Sequence, residues 1–259
     1  MTDLEREYSP SSRVGGSADP FIAAHRARSA AVREELGDRV IDIENGSLLV
    51  TASPTAPVFA FIHGGYWQAL SASESLYLAP GALAHGWSYL AIDYTLAPDG
   101  TLPQMISQCR AALAALARHV MPPSVVLAGH SAGAHLAAMV SLVRQPPFPI
   151  ERTVLVSGVF DLRPLVRTTV NAPLGLDVAT AAALSPRLLP ARAGARAVVA
   201  WGDNDTGAFA AQSRGYSAHL TASGASVSSF ECPGRHHFDI VDDLVEPLTA
   251  LGRATLFGD

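Results

Sequence analysis

The chain has 259 residues, 49% of them hydrophobic and 16% charged, which is enough apolar material for one sizeable buried core. A formal charge of −5 leaves no basic stripe to neutralise a phosphate backbone, so nucleic acid is excluded as an expected partner. The opening residues, MTDLEREYSPSSR, lack the apolar centre of a signal peptide, and no later run is long and apolar enough to span a bilayer; a soluble cytoplasmic protein without membrane contact is expected.

After a stretch rich in Ser, Gly and Pro, DPFIAAHRARSAAVREELG predicts a helix with Asp19 as N-cap, Pro20 at the first position and Gly37 as its stop. The pattern then changes to short runs rich in Val, Ile, Leu and Phe: VIDIE, LLVTA, VFAFI, SYLAIDY, SVVLAGH, RTVLVSG, ARAVVAWG and SVSSFEC. From VFAFI onward most are separated by segments of helical spacing, such as LPQMISQCRAALAALARHV and FAAQSRGYSAHLTASG. Runs apolar on both faces suit strands covered by helices on each side. The expected fold class is α/β, a mostly parallel central sheet flanked by helices, with the early strands as an antiparallel edge. No internal repeat or linker divides the chain, so residues 1–259 are expected to form a single domain. Within it, residues 1–37 form an N-terminal segment and helix. The stretch from about 160 to 190, dense in Pro, Arg and Leu, forms a cap-like excursion over the top of the sheet. Cys109 and Cys232 make neither a CxxC pair nor a disulfide framework and read as buried free thiols.

The stretch SVVLAGHSAGAHLAAMV is strand, turn and helix in immediate succession, with Ser131 at the corner. This is the context that a G-x-S-x-G nucleophile elbow requires. Gly129 and Gly133 lack the Cβ atoms that would clash in so tight a corner, and the turn lifts the serine Oγ clear of the backbone. The amide of Ala132 then points, with the helix N-terminus, to where a carbonyl oxygen would become negative. A serine hydroxyl needs a base and a group to orient that base, downstream in the order Ser, Asp, His. VVAWGDNDTGAF offers two acids, Asp203 and Asp205, and FECPGRHHFDIV offers two histidines, His236 and His237, each after an apolar strand. The loop in FAFIHGGYWQAL supplies backbone amides, Gly65 and Tyr66, to complete an oxyanion hole with Ala132, while His63 reads as a residue that holds the loop. Tyr66 and Trp67 are candidates to face the substrate. A metal site is the competing use of the nine histidines, but His130 and His135 fall on different helix faces and no H-E-x-x-H or Cys/His cluster occurs. No metal and no cofactor are expected.

Taken together, IHGGYWQ, GHSAGAHLAAM, LVSGVFDLRPLVRTTVNAPLGLD and HFDIVDDL resemble the kynurenine formamidases (arylformamidases) of the serine α/β-hydrolase superfamily, from an N-terminal YSPS to the final helix. The elbow and the amide loop also occur among the hormone-sensitive-lipase-like esterases, which IDYTLAPD echoes, so the middle block is the most discriminating part. The resemblance implies an α/β-hydrolase fold and selects Asp205, which precedes a short turn, Phe209, Gln212 and Ser213, and His237, which directly precedes Phe238. It implies a catalytic triad of Ser131, Asp205 and His237 that hydrolyses the N-formyl amide of an aryl amine, with N-formyl-L-kynurenine as the expected substrate. A carboxylesterase acting on small acyl or aryl esters is the alternative, and a non-catalytic binder on the same scaffold would have to lack one of these residues. Asn171 or Arg163 is a candidate to meet the amino-acid end of the substrate. The expected partner is a small molecule alone, and a homodimer is compatible with the reading.

Overall fold

The computed structural model describes residues 2–258, and the apolar runs form one sheet of eight strands. In chain order the strands and α-helices are α1 (Asp3–Glu7), α2 (Asp19–Leu36), β1 (Val40–Asp42), β2 (Leu48–Val50), β3 (Val58–Ile62), α3 (Ala79–Ala84), β4 (Ser88–Ile92) and α4 (Leu102–Ala115). They continue as β5 (Val125–His130), α5 (Ala132–Ala138), β6 (Arg152–Val156), α6 (Val178–Ala183), β7 (Arg196–Gly202), α7 (Gly207–Ala222), β8 (Ser226–Cys232) and α8 (Ala250–Leu256). The spatial order is β1-β2-β4-β3-β5-β6-β7-β8. β1, β2 and β4 pair antiparallel, and every other neighbour is parallel, as the early-edge expectation requires.

The physical reason is burial on both faces. Every residue of β3, β4, β5 and β6 is buried. Leu90, Leu127 and Leu155 face one apolar cluster with α4 and α5, while Phe59, Ala128 and Val154 face the other with α8. Runs with no polar face can persist only where helices cover both sides. The register aligns Ile62 with Gly129 and His130 with Val156, so the carboxyl ends of β3 and β5, and of β7 and β8 beyond them, share one edge of the sheet. Loops leaving that edge carry His63 to Trp67, Ser131, Asp205 and His237.

One local expectation changes. The helix predicted from Asp19 begins at Asp19 itself, with Ala18 in the N-cap position, and the Asp19 N–H donates to the Ser17 hydroxyl at 3.0 Å. Between β6 and β7 the excursion is a chain of short 3-10 turns, Arg163–Arg167, Thr169–Asn171 and Pro186–Leu188, with α6 among them. Cys109 and Cys232 are buried and free. Among the described residues no helix is long and apolar enough to cross a membrane.

Candidate active site

β5 ends at His130, and α5 begins at Ala132, so the chain reverses on Ser131 alone. Ser131 sits at φ 54° and ψ −119°, a region that a side chain enters only under constraint. Its N–H donates to the Val156 carbonyl of the neighbouring strand at 2.9 Å, which supplies that constraint. The two glycines flanking it are there for space. A Cβ on Gly129 would lie 2.2 Å from the Gly133 carbonyl oxygen, and one on Gly133 would lie 2.0 Å from that of Ile62. The start of α5 can thus press against β3 and β5 only if both positions are bare.

His237 and Asp205 meet although 32 residues separate them: His237 Nδ1 lies 2.9 Å from Asp205 Oδ1. The other carboxylate oxygen accepts from the Ser157 hydroxyl at 2.6 Å and from the Gly202 N–H at 3.2 Å. Burial pushes the Asp205 carboxyl up, but the adjoining His237 ring and the Ser157 hydroxyl outweigh it and hold the group below the usual carboxylate range. Of the candidates that the local pattern alone leaves open, Asp203 and His236 are engaged elsewhere. Asp203 accepts from the Gly234 N–H at 2.9 Å, and His236 is tied to its own turn, its Nδ1 accepting from the Phe238 N–H at 3.1 Å.

Ser131 and His237 are 3% and 4% exposed and line one cavity of about 370 Å³, a size suited to a small ligand. The Ser131 hydroxyl has no hydrogen-bond partner among the described residues. On the opposite rim, β3 runs into His63-Gly64-Gly65-Tyr66. Gly65 has φ +91°, and a Cβ there would lie 2.2 Å from the Ala69 carbonyl oxygen, so the loop closes only with glycine. His63 holds this loop, its Nδ1 lying 3.0 Å from the Gly64 carbonyl, with its ring stacked on Tyr94 at 4.3 Å. Among the described residues the N–H groups of Gly64, Gly65, Tyr66 and Ala132 have no acceptor. Unpaired amides at the rim of a cavity are free to donate to a ligand oxygen.

The expectation that Trp67 faces the substrate is corrected. Trp67 is fully buried, meets His135 edge-on at 5.2 Å and is not part of the cavity lining, because its φ of 62° turns the side chain into the core. Tyr66 does line the cavity, yet its hydroxyl is spent on the Tyr8 carbonyl at 2.6 Å. The two residues offered for the amino-acid end of the substrate are also engaged elsewhere. Arg163 forks onto Asp161 at 2.9 and 2.7 Å, the Asn171 amide bridges to both the N–H and the carbonyl of Leu176, and neither lines the cavity.

Sequence reasoning missed three contributors. Ser157 is one. His130 is another: its Nε2 lies 2.8 Å from the His237 carbonyl, and burial followed by the charge of His237 holds its basicity far below the ordinary value. The third is the N-terminal segment, which supplies Glu5, Tyr8, Ser9, Pro10 and Ser11 to the cavity wall. Among the described residues no group of three or more His, Cys, Asp or Glu stands close enough to hold a metal ion.

A strand–Ser–helix corner, a carboxylate-held imidazole and free amides on one sheet edge define the hydrolase class, and the family model described as alpha/beta hydrolase fold matches residues 59–239. The chain is 34% identical over 267 residues to the kynurenine formamidase of Danio rerio, covering 94% of this chain and 91% of that protein. It is 32% identical over 270 residues to the kynurenine formamidase of Salmo salar, again over 94% and 91%. A crystal structure of a Silicibacter protein bearing a thioesterase designation superposes with a TM-score of 0.85 at 29% identity, covering 97% of this chain and 98% of that one. The chain belongs to the α/β-hydrolase enzymes and, within them, to the kynurenine formamidase family.

Proposed function

We propose that this enzyme hydrolyses the N-formyl amide of an aryl amine, converting N-formyl-L-kynurenine and water to L-kynurenine and formate. The observation that carries the reading is the buried Asp205–His237 pair opening, with Ser131, into a cavity rimmed by unpaired amides. Likeness to kynurenine formamidases over 94% of the chain supports the choice of substrate.

In this reading His237 Nε2 takes the proton of Ser131 as Oγ attacks the formyl carbon, while Asp205 fixes the tautomer through Nδ1 and stabilises the imidazolium. The developing oxyanion is taken up by the amides of Gly65, Tyr66 and Ala132, with that of Gly64 beside them. His237 then gives the proton to the departing aniline nitrogen, and water releases formate from the formyl-serine by the reverse sequence. A formyl group carries only hydrogen on its carbonyl carbon, so the acyl side of the cavity needs little room and most of the binding falls on the aryl side. The apolar wall of Ile22, Phe61, Leu70, Phe238 and Val241 supports that division.

The test compares turnover of N-formyl-L-kynurenine with that of short aryl esters, since a carboxylesterase would use the same catalytic parts. The formamidase reading expects the formamide to be cleaved with kcat/KM at least comparable to the esters; esters preferred about a thousandfold or more would overturn it. A cytoplasmic setting with a small molecule as its partner completes the proposal.

A further inference from the structure

The cavity has an unusual charge inventory for a site that receives an amino acid. None of its lining residues is Arg or Lys, and its carboxylates are Glu5 and Glu74. Glu74 is neutralised by Arg26, whose Nε lies 2.6 Å from it. Glu5 has no cationic partner among the described residues. Instead both of its carboxylate oxygens accept from the Thr169 N–H at 3.2 Å, and one also accepts the Thr169 hydroxyl, so the charge is fixed in place without being cancelled. The short helix that carries it is pinned as well: the Thr206 hydroxyl donates to the Glu7 carbonyl at 2.5 Å, and the Tyr66 hydroxyl donates to that of Tyr8 at 2.6 Å. Of the lining histidines, burial lowers the basicity of His25 and, more strongly, of His130, so neither ring supplies a cation at neutral pH.

From this geometry we infer that Glu5 is a specificity-determining residue that pairs with the ammonium group of the substrate side chain, and that the substrate carboxylate finds no Arg or Lys partner among the residues that line the cavity. The inference rests on the formamidase reading and names the substrate class within it: aryl formamides with a cationic amine at the far end, whether or not a carboxylate accompanies it. A carboxylate entering this cavity loses water and meets no Arg or Lys, whereas an ammonium meets a fixed carboxylate in a cavity that the Ser9 and Ser11 side chains also line. Because Glu5 is already oriented, little ordering cost is left for binding.

The experiment measures kcat/KM for four compounds: formanilide, N-formylkynurenine, its decarboxylated amine, and its α-N-acetyl derivative, which keeps the carboxylate and loses the ammonium. In the wild-type enzyme the decarboxylated amine should be cleaved at least as well as N-formylkynurenine, and the acetyl derivative about tenfold less well, as expected for the loss of one hydrogen bond to a charged group. Glu5→Gln, which keeps an acceptor for Thr169, should bring the two amine-bearing substrates down to the level of the acetyl derivative and leave formanilide within about twofold. Equal turnover of the amine and acetyl compounds, or a uniform fall across all four in Glu5→Gln, would overturn the inference. Failure of the wild-type enzyme to cleave any formamide while it cleaves aryl esters would instead refute the formamidase reading.

Discussion

The Ser157 hydroxyl donates at 2.6 Å to the Asp205 oxygen that His237 does not use, so the carboxylate is held from both sides. Like Ser131, Ser157 sits at positive φ, 48°, on the residue just past the end of β6. Removing that second hold should loosen the acid without abolishing it. Ser157→Ala is expected to lower kcat by about tenfold with KM little changed, in line with a hydrogen bond to a charged group. Asp205→Asn, which presents the wrong partner to His237, should cost about 10⁴ in kcat. Steady-state kinetics on both variants, with thermal melts to establish folding, check the ranking; equal effects would refute the hierarchy.

Ser131→Ala should abolish labelling by a fluorophosphonate and reduce turnover by about 10⁴-fold or more. Labelling is read by mass spectrometry of the intact chain. A native protein that stays unlabelled would count against a reactive serine at the corner of β5 and α5.

Gly65→Ala places a methyl group 2.2 Å from the Ala69 carbonyl oxygen at a residue whose φ is +91°. The loop must move, and the amides of Gly65 and Tyr66 move with it. A loss of about 10² or more in kcat is expected, the scale of removing an oxyanion donor. Circular dichroism should show an otherwise intact fold, because the sheet and its register lie outside this loop.

His135 makes stability depend on pH. Its ring is fully buried, its Nε2 lies 2.8 Å from the Leu184 carbonyl, and its Nδ1 has no partner. Burial lowers its pKa to about 4 from the ordinary 6.5. Between those values the unfolded chain binds a proton that the folded protein refuses, so the contribution is complete above 6.5 and is lost as pH falls toward 4. The loss amounts to roughly 3 kcal/mol at about 1.4 kcal/mol per pH unit. His135→Gln, which keeps a donor for Leu184 and does not titrate, should flatten this part of the acid limb in urea denaturation measured from pH 7 to pH 4. An unchanged limb would show that other groups dominate it.

Tyr66→Phe removes the donor that ties the amide loop to the N-terminal segment through the Tyr8 carbonyl. About 1 kcal/mol of stability is expected to go with it. Limited proteolysis should then cut earlier within residues 1–18, with KM raised more than kcat is lowered.

The sheet was legible because burial on both faces leaves a signature in composition: VFAFI, SVVLAGH and RTVLVSG each hold an unbroken run of three to five apolar residues. The elbow was legible because close backbone approach demands glycine at Gly129 and Gly133, and that demand shows in the letters. The choice between Asp203 and Asp205 was not legible in the local pattern, since both fit the end of β7; only the family resemblance and the position of the His237 ring separate them. Trp67 misled because an aromatic residue beside a glycine pair suggests a pocket wall, and nothing local foretells the positive φ that sends it into the core. Ser157 and Glu5 left no signal, because each acts on a residue 48 or 164 positions away.

The segment that closes one wall of the cavity has an awkward history during synthesis. Its anchors at Thr206 and Gln212 lie 199 and 204 residues downstream of Glu7 and Tyr8. A nascent chain therefore makes this wall long before its anchors and can seat it only once they have emerged from the ribosome. Until then the half-built enzyme has neither its acid nor its base, and so cannot act on cellular amides while still being translated.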